Sequence, residues 1–382
     1  MAAVKKLVGY SIQLDHPAES SIDVTLDATE SQNFLLRTRR WWLIVLVLMG
    51  LLALTLFASL TVGSSSLPAA SVLRALLKSV PFLNEALGIV GPSEREVIII
   101  TEIRLPRILA GALVGAGLTV AGTVFQGVLR NPMADPYIIG VSSGAALGAA
   151  LAIVMRLGYS IIGVNAVSLF SFLVAVLTVF VVYNLSRIGS RAPVVTLLLA
   201  GVAVSIFLSA IVSLIQVFSG QELHRLVYWM MGGFSYTEWK DTMGVLLPIL
   251  AGGVLVYFYA RDLNIMTLGD EEAQHLGVNV ESSRKILLAL GSLMTAAAVS
   301  VSGLIGFVGL VIPHLARILV GPDHRVLIPS AFLTGAIFLV FCDAVARSIS
   351  SSTELPVGII TALSGGPFFI YMLRKSKGRY AM

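Results

Sequence analysis

Charge is what this sequence has least of. Asp, Glu, Lys and Arg make up 12% of its 382 residues, about half the ~25% of a soluble domain. The deficit is concentrated: residues 41–62, 108–129, 136–155, 157–186, 192–221, 242–260, 286–313 and 355–373 contain none of the four. Uncharged apolar runs of about 18 residues or more are long enough to cross a bilayer as helices. A large soluble core is excluded by run length, and a polytopic membrane protein is expected. Cysteine is nearly absent too. The single Cys342 rules out an intrachain disulfide and sits in an apolar run, where a thiol behaves as a small hydrophobe.

Catalytic motifs are also missing. A phosphate-binding loop needs a lysine after glycine, and none of the lysines at 5, 6, 78, 240, 285, 375 and 377 follows one. No H-E-x-x-H or G-x-S-x-G occurs, and the five histidines show no metal-ligand spacing. The chain is therefore expected to be non-catalytic, with no cofactor or metal of its own. An ion-coupled secondary transporter, the alternative class, should carry carboxylates inside its spans. The uncharged runs offer none, although Asp343 and Arg347 stand four apart and can pair on one helix face.

What is present is a series of ten expected spans. Residues 1–40 read as a flexible cytoplasmic extension, 41–375 as the membrane domain and 376–382 as a cytoplasmic tail. An amphipathic piece around 71–87 follows the first span. R-N-P-M-A-D-P at 130–136 breaks the chain after the second, because two prolines forbid a continuous helix. Gly140, Gly144 and Gly148 form two overlapping G-x-x-x-G units in the third, a spacing that lets helices pack closely in lipid. Residues 226–237 are too short to cross and read as a re-entrant or interfacial segment. S-G-L-I-G-F-V-G at 302–309 splits the seventh span from the eighth. An even count puts both termini on one side, and most basic residues place that side in the cytoplasm.

Two charged features stand against this background. Residues 261–285 form an acidic and basic interruption holding one short helix. Asp270 is expected to cap it, Glu271 and Glu272 to charge its first turn, and Gly277 to close it. A two-turn helix is not stable alone, since isolated helices need about 12–15 residues. Either the chain or a partner must hold it. The second feature is Arg104, Arg107 and Arg347, at span ends on the outer side, where positive charge is disfavoured. They either snorkel to lipid phosphate or meet an acidic partner.

R-L-P-R-I-L-A-G-A-L-V-G-A-G-L-T-V-A-G-T-V-F-Q-G-V-L-R-N-P-M-A-D-P at 104–136, G-D-E-E-A-Q-H-L-G-V at 269–278 and G-L-I-G-F-V-G-L-V-I-P-H-L-A-R-I-L-V-G-P-D-H-R at 303–325 resemble the FecCD-type permeases. So does the run from Asp343 through E-L-P-V-G-I-I-T-A-L-S-G-G-P at 354–367. The likeness covers roughly 41–375 and implies an all-α, ten-helix permease of a type II ABC importer in a prokaryotic cytoplasmic membrane. It implies a dimer with a second copy or paralogue, two ATPase subunits that hold ATP and magnesium, and an extracytoplasmic binding protein. Nucleic acid is not among the expected partners. By resemblance, Gly269, Asp270, Glu271, Glu272, Gln274, Leu276 and Gly277 form the helix that couples to the ATPase. Arg104, Arg107 and Arg347 correspond to arginines that meet glutamates of the binding protein. Asn131 and Met133 correspond to one cytoplasmic gate. Val194 and Val195 correspond to a second, which is polar in the cobalamin importer. The cargo implied is a metal chelate, with a ferric siderophore first and haem or cobalamin as alternatives.

Overall fold

A computed structural model of the chain describes residues 17–63, 67–79, 82, 91–157, 165–189, 192–349 and 354–380. It divides into residues 1–46 and 47–382. In the first unit the chain is helical from Pro17, in the opening part of helix α1 (Pro17–Thr61). Residues 17–40, expected as a flexible extension, therefore include helix, and residues 1–16 lie outside the described part.

The second unit contains the rest of α1, then α2 (Ala69–Lys78), α3 (Glu94–Val128), α4 (Val141–Val154), α5 (Ala166–Ser186) and α6 (Val194–Phe218). It continues with α7 (Leu223–Met230), α8 (Trp239–Phe258), α9 (Ala260–Met266), α10 (Asp270–His275) and α11 (Val280–Ser302). It ends with α12 (Val308–Val320), α13 (His324–Ile349) and α14 (Val357–Tyr380). No strand occurs among the described residues. Among the described residues seven helices are long and apolar enough to span, and three shorter apolar ones (α4, α12 and part of α14) complete the ten. The amphipathic piece expected at 71–87 is α2, and residues 83–90 lie outside the described part.

α3 is the axis of the bundle. Ser93 and Glu96 close a capping box at its start, satisfying two amide donors reciprocally. A wide π turn follows over Ile99–Arg104, and the Thr101 carbonyl accepts from Trp239 Nε1 at 2.9 Å. In its most apolar window 83% of residues are buried within the chain, against 17% for α1 and 11% for α6. Lipid gives little hydrophobic drive between helices, so contact depends on close approach through small residues. A Cβ on Gly115 would strike the Gly335 carbonyl of α13, and one on Gly122 would strike the Gly309 carbonyl of α12. Gly144 and Gly148 play the same part between α4 and α5, where a Cβ would meet Thr178 and the Phe170 carbonyl. Gly140 also packs on Thr178, 3.1 Å from where a Cβ would sit, and has a second part. Its φ of 87° makes it the left-handed turn between a short 3-10 helix (Pro136–Ile139) and α4.

The prolines of 130–136 do more than end α3. They turn the chain back along it, so that Pro136 packs on Gly309, which itself touches Gly122 and Leu118 of α3. α4 therefore starts part-way along the bundle, and its 14 residues span only about 21 Å at 1.5 Å each. α12, with 13 residues, is similarly short. The two broken regions are tied by one side chain. Tyr137 Oη donates to the Ile305 carbonyl at 3.0 Å and accepts from the Ile305 amide at 3.3 Å. Backbone polar groups freed by a break inside a membrane protein must find such partners.

Candidate functional site

Charged side chains gather at the two ends of the bundle. At one end lie the starts of α10, α11 and α13 and the end of α3; at the other lie the start of α3 and the end of α13.

At the first end stands α10, the short acidic helix, and the chain itself holds it. Gly269, not Asp270, is the N-cap, with φ 143° and ψ 159°. That φ suits glycine, while the Glu272 carboxylate a Cβ would meet is the free end of an exposed side chain and can move aside. Asp270 becomes the first helical residue, and its carboxylate is freed from capping. One oxygen accepts from Arg284 Nη2 of α11 at 2.7 Å, and the other lies 3.2 Å from Arg130 Nη2. Glu281 stands 3.7 Å from Arg284 Nη1 and accepts from the Ala192 amide before α6 at 3.2 Å. Ala273 is buried beneath the helix. Gly277 closes it at φ 82°, with the Val278 amide donating back to the Ala273 carbonyl, the geometry of a glycine-terminated helix. Glu271, Glu272, Gln274 and His275 are left exposed, flanked by Leu268 and Leu276 at 65% and 55% exposure. The result is an anchored acidic helix with two exposed leucines beside it.

α9 is locked to α13 beside it. Asn264 Nδ2 donates to Asp323 at 2.8 Å, while Asn264 Oδ1 accepts from the His324 amide at 2.9 Å.

The hinge of 130–136 adjoins this end. Arg130 has a left-handed backbone, φ 49°, uncommon for a side chain of its size. Asn131 Oδ1 accepts from the Met133 amide at 2.9 Å, and Asn131, Pro132 and Met133 are exposed. Val194 and Val195 open α6. Val194 packs on the core, while Val195 is 69% exposed. Hinge and α6 touch where a Cβ on Gly201 would meet the Ile138 carbonyl. Between them opens a cavity of about 340 Å³ lined by Asp135, Tyr137, Ile138, Ser142, Val202, Ser205 and Ile206.

At the opposite end, Arg104, Arg107 and Arg347 are 6%, 7% and 5% exposed. They do not snorkel outward. Arg107 Nε and Nη2 both donate to Asp343 Oδ1, at 3.0 and 2.9 Å, and Nη1 donates to Glu354 at 2.7 Å. Asp343 Oδ2 accepts from Arg347 Nε at 2.9 Å, so the expected i,i+4 pair is formed. Arg347 also donates to the Ser59 hydroxyl and the Val62 carbonyl at the end of α1, at 2.6 and 2.7 Å. Arg104 Nη1 donates to the Leu60 carbonyl at 2.6 Å. The cluster fastens α1, α3 and α13 together. Glu354 is its exposed member, with 41% of the side chain accessible; it also accepts from Ser235 at 2.8 Å. Burial disfavours its charge most, but hydrogen bonds from Arg107 and Ser235 outweigh that and hold its carboxyl below the usual range.

Neither Asp343 as a bridge nor Arg130 as a partner of Asp270 could be found by local spacing. Their partners lie 236 and 140 positions away in the chain.

The family model of the FecCD transport family matches residues 51–375. This chain belongs to that family. It is 48% identical over 289 residues to the cobalamin import system permease BtuC of Halobacterium salinarum, covering 76% of this chain and 77% of that one. It is 40% identical over 277 residues to the hemin transport system permease HmuU of Yersinia pestis, covering 72% and 83%. A solved structure described as an inward-facing metal-chelate type ABC transporter matches with TM-score 0.75 and 35% identity, covering 87% of this chain and 99% of that one. The FecCD chain is accordingly an all-helical, multi-pass permease of an ABC importer.

Proposed function

We propose that the chain forms the membrane path of a metal-chelate importer powered by a separate ATPase docked on α10. The observation that carries this reading is α10 itself, fixed to its own bundle through Asp270 while Glu271, Glu272, Gln274, Leu268 and Leu276 face outward. A helix spent on internal packing would bury those leucines. In this reading the α10 end is cytoplasmic, so both termini are too. ATP binding and hydrolysis in the partner move α10, and the permease pair opens to one side at a time around α6 and the hinge. Asn131 and Met133, with Val194 and Val195, line the closure on the cytoplasmic side.

The opposite end receives an extracytoplasmic binding protein. Arg107 and Arg347 are already engaged, so an acidic residue of that protein meets them by displacing Glu354, the accessible carboxylate. A ferric siderophore is the cargo proposed from the motif resemblance. Cobalamin is the second reading, favoured by the relative at 48% identity. Uptake of radiolabelled ferric siderophore, cobalamin and haem into proteoliposomes holding the complete transporter separates them. ATP-dependent accumulation of one chelate is expected, and accumulation without ATPase or ATP would overturn the ABC reading.

Coupling has its own test. Replacing Glu271, Glu272 and Gln274 with alanine should leave ATP hydrolysis but uncouple it from uptake in the same vesicles. Unchanged coupling removes α10 from the role.

A further inference from the structure

Asp270 uses its two oxygens on two different partners, and the partners are unlike each other. Arg284 belongs to α11, with its side chain 9% exposed, and anchors α10 to the bundle. Arg130 belongs to no helix. It is the second residue after the end of α3 and carries a left-handed backbone, and its side chain is 44% exposed.

As a stabilising contact the Arg130–Asp270 pair is weak, because half-exposed ion pairs are screened and entropically costly. Arg284 is the more buried of the two partners. The pair nevertheless joins α10 to the hinge between the second and third spans. From Arg130 the chain is stiff. Asn131 accepts from the Met133 amide and its carbonyl from the Ala134 amide. Asp135 caps the 3-10 helix by accepting from the Tyr137 amide at 2.8 Å. Tyr137 then reaches the α11–α12 break at Ile305. A displacement applied at Asp270 thus has a short, hydrogen-bonded route to the cavity wall at Asp135 and Tyr137.

We infer that Arg130 is a positioning residue: it transmits movement of α10 to the 130–136 hinge, and so to the cavity beside α6. The inference rests on the reading of α10 as the ATPase-docking element. It requires only that the Arg130–Asp270 pair travel with α10, whereas Arg284 serves as the pivot.

The experiment uses the complete transporter in proteoliposomes and the natural cysteine content. Cys342 is 1% exposed and stays unlabelled by a membrane-impermeant maleimide. Met133→Cys reports on the hinge and Gln274→Cys on α10, each labelled without nucleotide and after trapping with ATP and vanadate. Both thiols are expected to change labelling rate with nucleotide. With Arg130→Gln added, the change at position 133 is expected to be lost while that at 274 persists. Arg130→Lys, which keeps one charge, is expected to restore part of the change at 133. A nucleotide response at 133 that survives Arg130→Gln overturns the tie and leaves the α10 reading standing. A response absent at 274 in the parent overturns both. Equal behaviour of the lysine and glutamine variants overturns the tie as an ion pair.

Discussion

Asp343 bridges two arginines with one carboxylate, and that changes what a substitution there can report. Charge reversal at Arg104 or Arg107 looks, from the sequence, like a clean probe of docking. The structure shows Arg107 and Asp343 with side chains only 8% and 2% exposed, so an acid at 107 would face a buried carboxylate rather than report on docking. Asp343→Ala, which leaves buried Arg107 and Arg347 without their shared carboxylate, is expected to destabilise by about 3–5 kcal/mol, read as a lower melting temperature in detergent. Glu354→Gln is the informative change. It lies at the rim, where an ion pair contributes about 0–1 kcal/mol, so stability should hardly move. If an incoming carboxylate must displace Glu354, the same variant should bind the binding protein more tightly. Weaker or unchanged binding would remove Glu354 from the docking surface. The sign with pH is fixed by its lowered pKa: the Arg107–Glu354 pair is present above the ordinary carboxylate range. It is lost only as pH falls through the depressed value.

At the scale of elements, the ten spans were legible because lipid demands long uncharged runs, and the breaks were legible because proline and glycine interrupt them. The run 286–313 divides at Ser302 and Val308 as its glycines suggest. Other features have no local signature. The return of the 130–136 hinge alongside α3 depends on Gly309 and Gly122 being opposite each other, a matter of three-dimensional register. Asp270 obeys the composition of a cap but is displaced from it, because the cap falls on Gly269, whose φ of 143° suits glycine. The burial of the outer arginines was illegible for the same reason: Asp343 pairs across two helices. One element-scale prediction follows from the α3–α13 contact. Gly335→Leu should force apart backbones that touch at Gly115, costing at least the typical 1–3 kcal/mol of an overpacked site, about. Thermal unfolding measures it, and Gly366→Leu on α14, where a Cβ meets nothing, is the control expected to be neutral.

For the whole molecule, the question is what covers α6. Val195, Leu199, Val202 and Ile206 are 69%, 65%, 48% and 67% exposed and recur at helical spacing along one stripe. The α1 segment from Trp42 to Leu54 is almost as bare, and its exposed large side chains are apolar: Leu43, Leu46, Val47, Leu51 and Leu54 suit lipid tails. α6 differs because Asp135, Ser142 and Ser205 open onto the same face through the cavity. A carboxylate and two hydroxyls facing hydrocarbon would be costly, so this side belongs against water or protein. A second permease about a central path satisfies both needs, covering the apolar stripe and wetting the cavity. Two substitutions test this in the assembled transporter. Val202→Cys should cross-link to its counterpart with a short bismaleimide in native membranes, and Ser205→Cys should react with a membrane-impermeant maleimide. Cross-linking with no aqueous labelling would make the face a dry interface, with the path elsewhere. Neither reaction, with lipid-soluble maleimide still labelling both, would put α6 against the bilayer and overturn the paired arrangement.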